Sequence, residues 1–383
     1  MLYFFLEKVK ITKSFLIAIT PIIALFLIGF VGYFFHEYQF FNLIKDVFHF
    51  LKPLLGISIG YLFYKKINNL RLFVKTIVLC GLLSALIHFV VLIATGGISS
   101  GSLASVREYS KDNFLELVAI FFLSYYKKLE GKPLFKFNYN EVFIFVFILS
   151  SCILYFSRTM IVTSILFLLS IYGFTYITKK TLQYLGILSV SIILLYVYLF
   201  SVKLDRNKPG LENFLYKIKN APSELLKTKI DRENHKDLWD HWRGYEAKRA
   251  FSLMEKQPSS YFIGTGQGSL VNLKFEAPLT GDDEKGIRFI SELHNGYVYI
   301  FYKTGIVGLF ILLYFLISIY KKIYLTEHVN RFATIWISAF GLFFLFTTLT
   351  ITGIYNARDI IIFLFGALLY FYKEENNTLI IKK

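Results

Sequence analysis

Apolar residues come in runs long enough to cross a membrane, and most polar residues are gathered into the short breaks between them. About 20 apolar residues in succession span a hydrocarbon core roughly 30 Å thick. Run length and flanking charge place spans at 14–35, 47–64, 73–94, 113–126, 142–157, 159–178, 183–202, 297–320, 333–353 and 359–372. The pattern therefore predicts an all-α polytopic membrane protein of about ten transmembrane helices. One polar stretch is too long to be a simple connection. It divides the chain into an N-terminal bundle over 1–202, a large external helical loop over 203–295 between the seventh and eighth spans, C-terminal transmembrane helices over 296–372 and a short tail over 373–383.

Within the loop, Asp231 to Lys256 reads as a helix, with Trp239, Trp242, Ala250 and Leu253 at helical spacing and Pro258 beyond its end. A second short helix is expected over Glu212 to Lys219. Such helices suit the mouth of a bundle, where tryptophan rings sit at headgroup level. No internal repeat is visible.

Composition supports the membrane reading, with 55% hydrophobic and 18% charged residues in 383. The net charge of +16 is mainly a topology signal. Alternate connections hold Lys65, Lys66, Arg71 and Lys75, then Lys127, Lys128, Lys132 and Lys136, then Lys179 and Lys180, then Lys321, Lys322 and Arg331, and finally Lys373, Lys382 and Lys383. The intervening short loops hold only Lys45, Arg107, Lys111, Arg158 and Arg358. By the positive-inside rule both termini are cytoplasmic and the long loop is outside. In that loop acidic residues nearly match the basic ones, so nucleic acid is not an expected partner. The first run follows Lys8, Lys10 and Lys13 without a small-residue cleavage site and reads as a retained anchor. Cys80 and Cys152 fall inside spans and indicate neither a disulfide framework nor a metal site.

Candidate chemistry gathers where the loop enters the eighth span, at Ser291 to Gly308. His294 is a titratable ring at a membrane mouth, followed by Asn295, Gly296 and the flexible step of Gly305 and Gly308. The bland alternative is a helix start capped by Asn295, with glycines that allow close packing. Arg158 lies between two spans with almost no loop, which holds its guanidinium near the bilayer surface, where it faces a cavity or snorkels to headgroups. Arg243 sits on the loop helix with Lys248 and Arg249 further along, and its planar fork suits phosphate. The alternative there is a solvated face in which Glu246 pairs with Arg249 or Arg243. Gly264 to Gly268 follows no strand of a βαβ unit, so it reads as a tight turn whose amides face an anion rather than a dinucleotide site. Asp282-Asp283-Glu284 reads as a solvated acidic turn, His88 and Glu116 as buried polar contacts, and His235 and His241 as surface residues. No metal or other cofactor is signalled.

These residues resemble the O-antigen ligase and polymerase superfamily of membrane glycosyltransferases. The likeness is carried by the arginine-bearing helix at Arg243, Pro258, Gly264-Thr265-Gly266-Gln267-Gly268, His294-Asn295 and Lys303-Thr304-Gly305-Ile306-Val307-Gly308-Leu309, and secondarily by Ser157-Arg158-Thr159 and the long external loop. The region around Arg107 to Asn113 matches loosely, and the span count is low for ligase-type members. The resemblance implies a multi-pass protein of the bacterial inner membrane with a periplasmic loop. It implies transfer of a glycan from a polyprenyl-diphosphate-linked donor to a glycan or lipid A-core acceptor, among membrane lipids and other polysaccharide-assembly proteins. On that reading His294, Arg158 and Arg243 are the catalytic candidates, Arg107, Arg249, Asn295 and Gly266 the substrate contacts, and Glu246 and Glu292 lesser candidates for the base. A repeat-unit polymerase is expected, with a ligase as the alternative. A flippase for lipid-linked sugars is the more distant one, and the absence of a repeat weighs against it.

Overall fold

The computed structural model describes residues 13–97, 106, 110, 112–136, 138–155, 157–205, 208, 211–231, 235–278, 286–328, 331–356 and 359–381. Its helices are α1 (Lys13–Tyr33), α2 (Phe40–Ile67), α3 (Leu70–Ala94), α4 (Phe114–Glu130), α5 (Asn138–Leu154), α6 (Arg158–Ile171) and α7 (Lys179–Ser201). The long polar segment then supplies α8 (Leu211–Leu226), α9 (His235–Asp240), α10 (Trp242–Met254), α11 (Ser260–Ile263) and strands β1 (Val271–Ala277) and β2 (Ile287–Ile290). Helices α12 (Gly296–Tyr320), α13 (Arg331–Thr350) and α14 (Ile361–Ile381) complete the chain.

Each expected span falls on a helix. Among the described residues six helices, α1, α2, α3, α7, α12 and α13, are long and apolar enough to cross a membrane. Shorter apolar stretches lie on α5, α6 and α14. The remaining expected span, 113–126 on α4, has a different character: it is buried along most of its length and carries Glu116 inward. Helix α7 is the opposite case, with only Thr181 and Leu199 buried.

Two local expectations are corrected. The helix expected over Asp231 to Lys256 is broken at His241 into α9 and α10. The loop is also not wholly helical, because β1 and β2 form an antiparallel hairpin with a bulge between Asn272 and Ala277. Val271, Leu273 and Ala277 are buried while Lys274 is exposed, the period-two signature of a strand with one covered face.

The chain forms two compact units. One comprises Met1–Ile59, Ala221–Ile319 and Phe344–Ala357. In its polar part Leu238, Trp242, Tyr245, Leu273 and Ala277 make a small core, joined by Ile230, Phe275 and Ile290. Tyr245 Oη donates to the Leu273 carbonyl and Arg249 Nε to the Asn272 carbonyl at 2.9 Å, so α10 and β1 are tied together. At the start of α9 the Asp237 carboxylate accepts from the Asp231 amide at 2.8 Å and Lys227 Nζ at 3.0 Å. Burial raises the Asp237 carboxyl, but those two donors and His241 outweigh it and hold the group below its ordinary range. His241 is buried rather than on the surface, and the side chain of His235 lies outside the described residues.

The other unit comprises Gly60–Asn220, Tyr320–Phe343 and Arg358–Lys383. Its centre is aromatic, with Phe122, Phe167 and Phe332 around Trp336. The buried Glu116 carboxylate accepts from Ser84, Ser151, Tyr155 and Asn113 at 2.6–3.0 Å. His88, stacked on Tyr155 at 4.1 Å, joins this network through Ser151 and reaches Ser110 at 2.8 Å. Both groups are the buried polar contacts expected of them, and the donors offset the cost of a carboxylate at that depth. An apolar cavity of about 780 Å³ lies between α4, α5 and α6, with Leu211 and Phe214 of α8 at one end and Lys128 and Tyr172 at the other. Cys80 and Cys152 are both free thiols.

Candidate functional site

The glycine-rich turn is built into a break in α12. Gly305 has φ 68° and ψ −167°, a conformation that interrupts the helix. The carbonyls of Tyr302 and Lys303, released from the following turn, accept instead from the amides of Thr265 at 2.8 Å and Gly266 at 3.0 Å. The Gln267 amide donates to the Gly29 carbonyl of α1 at 2.8 Å, and the Gly268 amide to Asp46 Oδ2 of α2 at 2.7 Å. A Cβ on Gly266 would stand 2.2 Å from the backbone nitrogen of Tyr33. The amides expected to face an anion are thus engaged within the protein, and the one anion among their acceptors is Asp46. What the sequence reads as a flexible glycine step is a fixed kink.

Beneath this turn Lys303 and Asp46 form an ion pair in which both side chains are almost wholly buried. Lys303 Nζ also donates to the Ser269 carbonyl at 2.6 Å. Tyr38 closes the turn by donating from Oη to the Thr265 carbonyl at 2.7 Å. Burial, reinforced by Tyr302 and Asp46, raises the Tyr38 phenol and keeps it a donor.

With the entrance to α12 fixed, the residues before it present the candidate chemistry. Asn295 Oδ1 accepts from the amides of Tyr297 at 3.1 Å and Val298 at 3.3 Å, a helix cap. Immediately before it, the His294 side chain is 51% exposed, while the Glu246 carboxyl that holds it is 2% exposed. His294 donates to Glu246 twice, from its backbone amide at 3.0 Å and from Nδ1 at 3.0 and 3.1 Å to the two oxygens. A carboxylate facing Nδ1 makes that nitrogen the donor and leaves Nε2 with its lone pair. Upstream, Glu292 lies 3.3 Å from Nδ1 of His49 on α2. The cap reading of this stretch holds at Asn295, and the imidazole of His294 stands directly before it against Glu246.

Arg243 is half-buried and donates from Nη1 to Glu224 Oε2 at 2.9 Å, so its partner is not Glu246 as the three-residue spacing suggests. Glu246 points to His294, and Arg249 is buried and donates to the backbone of β1. Arg243 and Glu246 therefore share one helix, α10, and both lie in the same unit as His294, which precedes α12. Arg158 belongs to the other unit, where it opens α6 behind the Ser157 cap and donates from Nη1 to the Lys217 carbonyl of α8 at 2.6 Å. Arg107 and Asp282-Asp283-Glu284 lie outside the described residues.

Sequence reasoning missed the Glu246–His294 and Asp46–Lys303 pairs, whose members are 48 and 257 positions apart. A lysine within the apolar segment 297–320 was a signal for the second, because a charge at that depth requires a partner. The first had no local signal, since an i,i+3 arginine offered Glu246 a nearer partner.

Residues 143–313 match the family model described as O-antigen ligase. That span runs from within α5 into α12 and contains Arg158, Arg243, Gly266, His294 and Asn295. No curated protein matches the chain, and no solved structure does.

Proposed function

We propose that this chain, whose residues 143–313 match the family model described as O-antigen ligase, is a membrane glycosyltransferase of the O-antigen ligase and polymerase superfamily using a polyprenyl-diphosphate-linked glycan as donor. The observation that carries the reading is the half-exposed imidazole of His294 at the mouth of α12, gripped at Nδ1 by a buried carboxylate. Such a ring is set to take a proton through Nε2. In the proposed step the acceptor hydroxyl loses its proton to His294, its oxygen bonds to the donor's anomeric carbon, and the carbon–oxygen bond to the diphosphate breaks with its electron pair on the leaving group. The main remaining task is to neutralise the diphosphate as it departs, which preorganised arginines do well where water is excluded. Arg243, on the helix that carries Glu246, is the proposed donor in the unit of His294; Arg158 is a separate candidate for the same role, and the reaction is proposed to take place on the outer side of the bacterial inner membrane.

Among the reactions of this superfamily we favour repeat-unit polymerisation, supported by one dominant, nearly neutral loop that need not recruit a strongly anionic acceptor. A second reading, ligation of finished polymer to a lipid A-core acceptor, is supported by the single word ligase in the family description. Deleting the gene separates the two. A missing polymerase leaves single repeat units that an intact ligase still attaches, whereas a missing ligase leaves long chains on the carrier and a bare acceptor. Gel analysis of surface glycans, with mild acid release of carrier-linked sugar, reads the outcome, and long carrier-linked chains would replace polymerase with ligase.

A further inference from the structure

We infer that Glu246 is a positioning residue for His294, which it holds as the Nδ1–H tautomer with Nε2 turned to the acceptor hydroxyl; the inference rests on His294 being the proton acceptor. Three observations exclude the simpler role of Glu246 as the base itself. Its carboxyl is 2% exposed, both its oxygens already receive hydrogen bonds from His294, and α10, which carries it, is tied to β1 by Arg249 and Tyr245. An acceptor hydroxyl cannot reach the carboxylate without displacing the imidazole.

The double contact is what makes this positioning rather than simple pairing. A ring held only at Nδ1 can still swing about its side-chain torsions, but here one carboxylate also anchors the backbone amide of the same residue. The flanking contacts hold the chain on either side, with Glu292 against His49 before it and Asn295 capping α12 after it. During the step, the acceptor's proton goes to Nε2 and Glu246 stays ionised, steadying the imidazolium that forms. Glutamine is almost isosteric but carries a single oxygen. If that oxygen serves the backbone amide, its NH₂ group faces Nδ1 and drives the ring proton to Nε2, the nitrogen that has to be free.

The test uses the full-length protein in lipid, labelled with ¹⁵N-histidine and observed across a series of pH values. Comparison with the His294→Ala protein identifies the His294 signals. A protonated Nδ1 with bare Nε2 is expected in the native protein, and a shift toward protonated Nε2 in Glu246→Gln. In parallel, Glu246→Gln is expected to lower kcat by about 10²- to 10⁴-fold while KM for the acceptor stays within about threefold. Adding Glu246→Gln to His294→Ala should cost nothing further, and Glu246→Asp should recover only part of kcat. A native Nε2–H tautomer, or a Glu246→Gln protein with native kcat, overturns the positioning role even if His294→Ala is inactive. Native activity in His294→Ala overturns the underlying assignment of the base instead. Should Glu246→Gln fail to fold, the native spectrum decides alone.

Discussion

At the scale of single residues, the entrance to α12 depends on groups buried within the protein. Gly305 holds a left-handed φ, and a Cβ there would stand 2.2 Å from the Phe262 carbonyl oxygen. Gly305→Ala is therefore expected to destabilise the protein by at least the roughly 1–3 kcal/mol of a non-glycine residue in such a conformation. Thermal unfolding in detergent reads this, and an unchanged midpoint would show that the kink relaxes. Lys303 and Asp46 make a second case. Removing one partner strands a buried charge, which costs about 3–5 kcal/mol, whereas neutralising both costs much less than the sum. Lys303→Met should therefore lower the unfolding temperature more than Lys303→Met combined with Asp46→Asn, and equal additive losses would argue that the two do not act as a pair.

At the scale of elements, Arg158 and Asp237 each hold part of the polar loop. Because the Arg158 guanidinium donates to the Lys217 carbonyl, Arg158→Ala should speed proteolytic cleavage around α8 as well as lower transfer by about 10²- to 10³-fold. Arg158→Lys keeps the charge but not the fork and should restore transfer only in part. If lysine restored it fully, the planar geometry would be irrelevant. For Asp237 the folded carboxyl is held below its ordinary value of 3.8, so its contribution is present above that value and disappears as pH falls through the depressed folded one. Asp237→Asn should thus weaken the loop at neutral pH and match the native protein in strong acid, read by fluorescence of Trp239 and Trp242. An equal deficit at every pH would assign the effect to lost shape rather than lost charge. These elements also mark the limit of sequence reading. The helix over α8 was legible from Glu212 to Lys219, and α10 from its apolar spacing, but the hairpin was not. Its strands are short, and the alternation at Val271 to Ala277 is interrupted by a bulge at which Lys274 takes a positive φ.

At the scale of the whole molecule, apolar runs located all six helices that, among the described residues, are long and apolar enough to cross a membrane, because such a helix is specified by length and hydropathy alone. The candidate residues were legible only singly. His294, Asn295, Arg243 and Arg158 stood out one by one, while the carboxylate bonded to His294 was hidden, since no periodicity encodes a contact between Glu246 and a residue 48 positions later. The distribution of Lys and Arg predicts cytoplasmic termini and an external loop. Reporter fusions at Lys128, Lys180 and Lys322 should behave as cytoplasmic and one at Lys236 as external, and a cytoplasmic Lys236 would place His294 on the wrong face for the proposed reaction. The central claim is that this chain makes a glycosidic bond with His294 as the proton acceptor. Its most direct test compares the native and His294→Ala proteins, reconstituted in lipid at equal levels, with a polyprenyl-diphosphate-linked glycan and an acceptor glycan. The native protein should join the two and release polyprenyl diphosphate, and His294→Ala should do so about 10²- to 10⁴-fold more slowly. A native protein that moves the glycan across the bilayer without changing its covalent attachment, or a His294→Ala protein that transfers at the native rate, would contradict the account.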